Sequence, residues 1–343
     1  MPAPKTKKNI ALVAGGDSGE KVISIASAAV IKKNLDASRY EVYTIHINKD
    51  AWLYVPEKGK SIPVDKNDFS VKIGTKKINF DCVFMAIHGT PGEDGRLQAY
   101  FDLIGIPYTS CGQLTSALTF NKGYCNQVVS KLGANVSRSI HLFSDKPYDV
   151  KIIQKALKFP VFVKPNNGGS SIGMSKVDDK KNLDAAIRKA FKEDCEVLIE
   201  EYIKGTEITC GVYKYKGVLT ALPITEIVSK TTYFDYEAKY NGKSEEITPA
   251  RIPEESEMLC KATSVVLYEK LNCKGVVRFD YILSKKGLYF LEVNTVPGMS
   301  EASIIPQQVR IFGQTIPVFF SMLIEDALWR EKQDTKYKRQ DTR

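Results

Sequence analysis

Residues 9–14 form a buried-strand run, apolar from Ile10 on, closed by Gly15-Gly16-Asp17-Ser18-Gly19, and residues 21–33 then carry apolar side chains at helical spacing. Strand, glycine turn and helix are the opening of an α/β unit. Further strands are predicted over 40–47 and 81–87, the second running into His88-Gly89-Thr90-Pro91-Gly92-Glu93-Asp94-Gly95. This first unit reads as a doubly wound domain ending near residue 117. From Phe159 the pattern changes to short strands and glycine turns, over 161–164, 173–177, 197–202, 207–215 and 218–224, with a helix over 181–191. That is an α+β unit. Residues 229–249 are polar and aromatic without periodicity of either kind, and a long loop of this sort inside a compact chain is usually functional. A helix over 254–271, a hairpin over 275–293 and a helix over 316–330 follow, and the last dozen residues read as a frayed tail. The expected division is 1–117, 118–222 and 223–343.

Length and composition narrow the class. At 343 residues the chain is long enough for two or three domains. Hydrophobic residues at 43% and charged residues at 26% exclude a collagen, a rod and wholesale disorder. The 49 basic minus 40 acidic residues give +9, but lysine is spread along the chain, which argues against nucleic acid as a partner. Seven cysteines without a CxxC pair read as reduced thiols of a cytoplasmic protein. The apolar run at 10–14 is too short for a signal peptide. The longest apolar window, 316–328, is broken by Ser321, Glu325 and Asp326, so no membrane span is expected.

The hairpin carries the sharpest chemistry. With a three-residue turn, Lys285-Lys286-Gly287, Asp280 would face Glu292 and Arg278 would face Asn294, all on one side. Val277, Phe279 and Tyr281 would then bury against Leu291 and Val293. Two facing carboxylates beside an amide oxygen suit a hard cation such as magnesium, as held with nucleotide phosphates. The plainer alternative is a solvated face of alternating charge. Upstream, Lys164-Pro165-Asn166-Asn167-Gly168-Gly169-Ser170-Ser171-Ile172-Gly173 ends a strand in a Gly/Ser loop whose N–H groups and hydroxyls could cradle phosphate. It fits neither a Walker loop nor a Rossmann turn, and alone it could be only a tight hairpin.

Taken in order, Lys164 with its loop, Glu200-Glu201-Tyr202-Ile203, Gly205-Thr206-Glu207, Arg278-Phe279-Asp280 and Glu292-Val293-Asn294-Thr295 resemble the ATP-grasp enzymes. More narrowly, Gly15-Gly16-Asp17-Ser18-Gly19-Glu20, His88-Gly89 with Gly92-Glu93-Asp94-Gly95, Tyr236-Glu237-Ala238-Lys239-Tyr240 and Asn294-Thr295-Val296-Pro297-Gly298-Met299 resemble the D-alanine:D-alanine ligases. The resemblance runs from about residue 9 to 330. It implies an α/β and α+β chain with a three-domain ATP-grasp fold, its amino-terminal domain doubly wound, with ATP as co-substrate between the last two domains. It also implies two Mg2+ ions, with Mn2+ as a substitute, and a cytoplasmic homodimer that builds peptidoglycan precursor.

By the same resemblance, Lys122 and Lys164 contact ATP phosphates, Ser171 belongs to the ATP site, Glu200, Tyr202 and Ile203 frame adenine, and Glu207 holds ribose. Asp280, Glu292 and Asn294 ligate the metal. Glu20 receives the ammonium of the first D-alanine near His88, and Ser170 with Tyr240 joins Glu20 in closing the loop. Arg278 and the Gly298 N–H form the oxyanion site, while Lys239, Ser303 and the Ile304 backbone hold the second carboxylate. Lys21 stands where the family usually has histidine, and Tyr202 where many members have tryptophan. Each role has a structural rival: a helix-dipole carboxylate at Glu20, a packed core histidine at His88, core strand residues at Tyr202 and Ile203, a turn serine at Ser170. The implied reaction is formation of a D-alanyl phosphate and its attack by a second D-alanine. The competing readings are a sister ligase using D-lactate or D-serine, and an ATP-binding protein without turnover.

Overall fold

A computed structural model of the chain describes residues 7–169, 172–229 and 244–340, with side chains at 229, 244 and 334–340 left aside. Ser170, Ser171, Lys239 and Tyr240, and most of the expected loop 229–249, lie outside the described residues.

Every residue of 10–15 in the first strand, Lys8–Gly15, is buried, because helices cover both faces of its sheet. The strand lies parallel to Tyr40–Ile47 on one side and to Cys82–Met85 on the other. Ile10, Leu12 and Ala14 pack on Ala28 and Ile31 of the helix Lys21–Asn34 and on Phe319, Phe320 and Leu323. Ala11 and Val13 face Leu97 and Phe101 of the helix Arg96–Ile104. Four short antiparallel strands, Trp52–Tyr54, Ile62–Asp65, Ser70–Ile73 and Lys76–Ile78, extend the sheet to seven. The sequence pattern did not predict them, since three or four residues give too little alternation to read.

The second sheet is antiparallel, in the order Ser175–Val177, Val161–Pro165, Glu196–Glu201, Ser139–Phe143. The third runs Ser244–Ile247, Thr225–Ser229, Thr206–Tyr215, Val276–Ser284, Gly287–Asn294, Asn135–Val136, with Val218–Ala221 pairing off the third of these. Thr206–Tyr215 and Val218–Ala221, expected in a central unit ending at 222, thus belong to the third sheet. The eight-residue pairing of Thr206–Tyr213 with Val276–Leu283 takes them there. Ile208, Cys210 and Val212 pack with Phe279, Tyr281 and the helix Glu254–Lys270. The alternate residues Glu207, Thr209 and Gly211 therefore point to the opposite face, where the site lies.

Two expectations are corrected. The last helix runs from Ile316 to Gln340 in place of a frayed tail. It is anchored by Phe319, Phe320, Leu323 and Ile324 against the first sheet, and helical propensity in its lysine- and arginine-rich end carries it on. The hairpin turn encloses two residues, Lys285 and Lys286, with Ser284 opposite Gly287, whose φ of 123° suits a residue without Cβ. A bulge between Asp280 and Tyr281 then restores the predicted register, so Asp280 does face Glu292 and Arg278 does face Asn294. The bulge places Phe290, not Leu291, opposite Tyr281; Phe290 joins the core and Leu291 lines a cleft.

Candidate active site

All seven cysteines are free, six of them buried, as a reduced chain requires. No single helix among the described residues is long and apolar enough to cross a membrane.

Two joined compartments lie over the site-facing side of the third sheet. The larger, of about 720 Å³, is lined by Phe162, Lys164, Met174, Glu200, Tyr202, Ile203, Glu207, Ile282 and Leu291 among others. The smaller, of about 340 Å³, is lined by His88, Glu93, Arg278, Asp280, Asn294, Gly298, Ser303 and Ile304. Glu20, Lys122, Gly168, Gly169, Glu207 and Glu292 border both. Every described residue singled out from the sequence therefore lines this one cavity system.

In the larger compartment, Lys164 and Glu200 form a buried ion pair, and Asn126 donates to the other Glu200 oxygen at 2.8 Å. Adjacent antiparallel strands bring the two side chains together, Phe162 pairing with Glu200. Breaking one member of such a pair costs about 3–5 kcal/mol, because its partner is left charged in a poor solvent. The Tyr202 ring packs edge-on against Phe162, centroids 5.8 Å apart, with the Lys176 ammonium over it at 5.1 Å. An aromatic wall beside charged groups is what a nucleobase site needs.

At the junction, Lys122 Nζ donates to the Gly168 carbonyl and lies 3.7 Å from Glu292. Lys122 opens the helix Lys122–Lys131, whose start is fixed by Asn121 accepting from the Tyr124 N–H. Glu20 precedes the helix Lys21–Asn34 but makes no side-chain cap. Its carboxylate lies against the glycine loop: a Cβ added to Gly169 would meet Glu20 Oε2 at 2.8 Å, so a side chain there would have to displace the Glu20 carboxylate.

In the smaller compartment, Arg278 grips Asp280 through Nε at 2.9 Å and Nη2 at 2.8 Å, and Asn294 donates to Asp280 at 2.9 Å. Burial works against the Arg278 charge, yet Asp280 outweighs it and the guanidinium is more basic than usual. Asn294 spends its N–H on Asp280, which turns its carbonyl oxygen into the acceptor end. Asp280, Glu292 and Asn294 thus offer hard oxygens from one face of one hairpin, a donor set that fits a divalent cation such as Mg2+. Ser303 precedes the helix Ile304–Ile311, and its Oγ bonds Ser300 Oγ at 2.7 Å.

Three residues here were not assigned roles from sequence. Glu93 accepts from the Gly89 N–H at 2.8 Å and the Val296 N–H at 3.0 Å. Its carboxyl is pushed up to about 7 by burial and then by nearby Glu20. His88 Nδ1 lies 2.7 Å from the Val296 carbonyl, and Ser27 Oγ bridges His88 Nε2 and the Met299 N–H. Burial, against the pull of Glu20, lowers the His88 pKa, so the ring is neutral, with Nδ1–H donating to Val296. Glu246 lines the smaller compartment with one oxygen held by Gln307 at 2.8 Å, and burial raises its pKa. Glu93 stood inside a quoted motif, whereas Ser27 and Glu246 carried no local signal.

Comparison with known proteins agrees with this geometry. Family models described as the D-ala D-ala ligase N-terminus and C-terminus match residues 9–111 and 134–325. A D-alanine–D-alanine ligase of Parabacteroides distasonis is 47% identical over 95% of this chain and 99% of its own length. That of Flavobacterium johnsoniae is 47% identical over 94% of the chain and 99% of its own. Among solved structures, the VanG D-Ala:D-Ser ligase of Enterococcus faecalis superposes with a TM-score of 0.84 at 32% identity, covering 94% of this chain and all of that one. D-alanyl-alanine synthetase A of Vibrio cholerae gives 0.84 at 29% identity, covering 94% and 99%. The chain belongs to the D-alanine–D-alanine ligase family.

Proposed function

We propose that the chain joins two D-alanines into D-alanyl-D-alanine, with ATP converted to ADP and phosphate through a D-alanyl phosphate. One observation carries the reading: Lys122, Glu292 and the Gly168-Gly169 turn border both compartments. The end of a nucleotide in the larger cleft therefore meets a carboxylate held in the smaller one. The smaller compartment, of about 340 Å³, has room for two three-carbon amino acids. Curated relatives at 47% identity bear the D-alanine name, against 32% for the structure named for D-serine, which makes D-alanine the favoured acceptor.

In this reading Lys122, Lys164 and Ser171 hold the phosphates, Glu200, Tyr202 and Ile203 the adenine, and Glu207 the ribose. Asp280, Glu292 and Asn294 would hold two Mg2+ ions, or Mn2+, which supply neutralisation of the phosphate charge. Glu20, near His88, binds the first ammonium, and Ser170 and Tyr240 complete its link to the loop. The first carboxylate attacks the γ-phosphorus and ADP leaves with the pair of the broken P–O bond, so a poor acyl donor becomes a good one. The second amine then attacks the acyl carbon while Lys239, Ser303 and the Ile304 N–H hold its carboxylate. Arg278 and the Gly298 N–H face the developing oxyanion, and phosphate leaves with the bonding pair. The cytoplasm, a homodimer and peptidoglycan precursor synthesis complete the reading. Phosphate release and product mass with a panel of D-amino and D-hydroxy acids test it; D-alanyl-D-lactate as the main product from equal D-alanine and D-lactate would overturn it.

A further inference from the structure

The second amino acid poses a recognition problem that the residues above leave open. Its carboxylate has partners in Ser303 and the start of the helix Ile304–Ile311, but its ammonium has none assigned. The third sheet supplies a candidate. Glu246 pairs with Ile227, which pairs in turn with Glu207, and Glu207 and Ile227 border both compartments. Side chains opposite one another across neighbouring strands share a face, so Glu246 stands on the same face as Glu207 and lines the smaller compartment itself.

Its orientation is fixed from the other side of the compartment. Gln307 donates to Glu246 Oε2 at 2.8 Å, and Gln307 lies four residues after Ser303, one turn along the same helix. The helix therefore offers the positive N–H end at Ile304, beside the Ser303 hydroxyl, and, one turn on, a carboxylate held in place. Those two ends match the two charges of an α-amino acid. Among the described residues, Arg278 and Asp280 are the charged groups that act most on Glu246, and these grip each other in two hydrogen bonds.

We propose that Glu246 is the ammonium-binding residue of the second subsite and makes the enzyme select an amino acid over a hydroxy acid as acceptor. The assignment rests on the reading of Ser303 and Ile304 as the acceptor's carboxylate site. A D-hydroxy acid has no cation to offer Glu246 and leaves that carboxylate unpaired, which disfavours it.

Glu246→Gln keeps the size and an oxygen for Gln307 while removing the charge. In steady-state kinetics that resolve two D-alanine sites, the variant's KM at the acceptor site should rise about tenfold, with the first site nearly unchanged. With equal D-alanine and D-lactate, the ester-to-amide ratio should rise by about the same factor. Hydroxylamine, an uncharged nucleophile at neutral pH, should trap D-alanyl hydroxamate from variant and parent at equal rates. An unchanged acceptor KM and product ratio, or an equal loss with D-alanine, D-lactate and hydroxylamine, would overturn the assignment. Failure of the parent enzyme to form any hydroxamate would instead count against the acyl phosphate, and the KM split would still decide the role of Glu246.

Discussion

His88 donates its Nδ1–H to the carbonyl of Val296 at 2.7 Å, joining the segment that leaves the strand Cys82–Met85 of the first sheet to the loop that follows the carboxylate hairpin. Val296 gives its own N–H to Glu93, and Met299 is held by Ser27, so the residues on either side of Gly298 are both gripped by the first unit. The position of the Gly298 N–H is thereby set from a different part of the chain.

Ser27→Ala removes a donor to His88 and an acceptor from Met299 in a buried place. Stability should fall by about 1–3 kcal/mol. The turnover number should fall about tenfold or more while the KM for ATP stays near its parent value, because only the oxyanion loop is loosened. Thermal melts and steady-state kinetics check both; an unchanged turnover number would show that the loop holds its place without Ser27.

Glu93 gives a pH signature. Its folded-state value of about 7 lies above the ordinary 4.5, so the folded protein holds a proton that the unfolded chain has lost. Its contribution to stability is thus full below 4.5 and declines as pH rises towards 7. His88, lowered by burial, has the opposite slope: it contributes stability that grows as pH rises towards its ordinary 6.5. Glu93→Gln removes the first slope and leaves the second. The variant's Tm minus the parent's should therefore increase from acid to neutral pH, and a flat difference would contradict the environment assigned to Glu93.

Asp280→Asn and Glu292→Gln should each cut activity by about two orders of magnitude or more and raise the Mg2+ concentration for half activity. Their stabilities should differ. Asp280 neutralises buried Arg278 through two bonds, so its loss should cost about 3–5 kcal/mol, and Glu292→Gln much less. Magnesium titrations and melts separate the two effects. Normal turnover by both variants at limiting Mg2+ would mean that the hairpin does not hold the metal.

Glu20 and Ser303 should separate the two D-alanine sites. Glu20→Gln should raise KM for the first and Ser303→Ala for the second, each about tenfold. Kinetics resolving two sites would show the split, and equal effects of both variants at both sites would make one of them structural.

The parts of this site legible in the sequence are those carried by local chemistry. The Gly/Ser loop, the Glu200-Glu201 pair and the Arg278-to-Asn294 hairpin each hold several polar residues in a short stretch. The hairpin shows how a correct register can follow from an incorrect turn: a two-residue turn and a bulge together equal the predicted three-residue turn at Asp280, and differ from it by one residue at every pair from Tyr281 to the turn. Ser27 and Glu246 were not legible, because their partners lie 272 and 61 residues away, at Met299 and Gln307. The strands over 52–78 escaped for a different reason, being too short to show a period.

The claim that a carboxylate is activated by phosphoryl transfer at the junction of the two compartments is tested most directly by following its oxygen. D-alanine labelled with 18O in the carboxylate should pass one labelled oxygen to the inorganic phosphate in each turnover and keep the other in the new amide carbonyl. Phosphate isolated after a single turnover and weighed by mass spectrometry should carry that label. Unlabelled phosphate, with dipeptide still formed, would contradict the account.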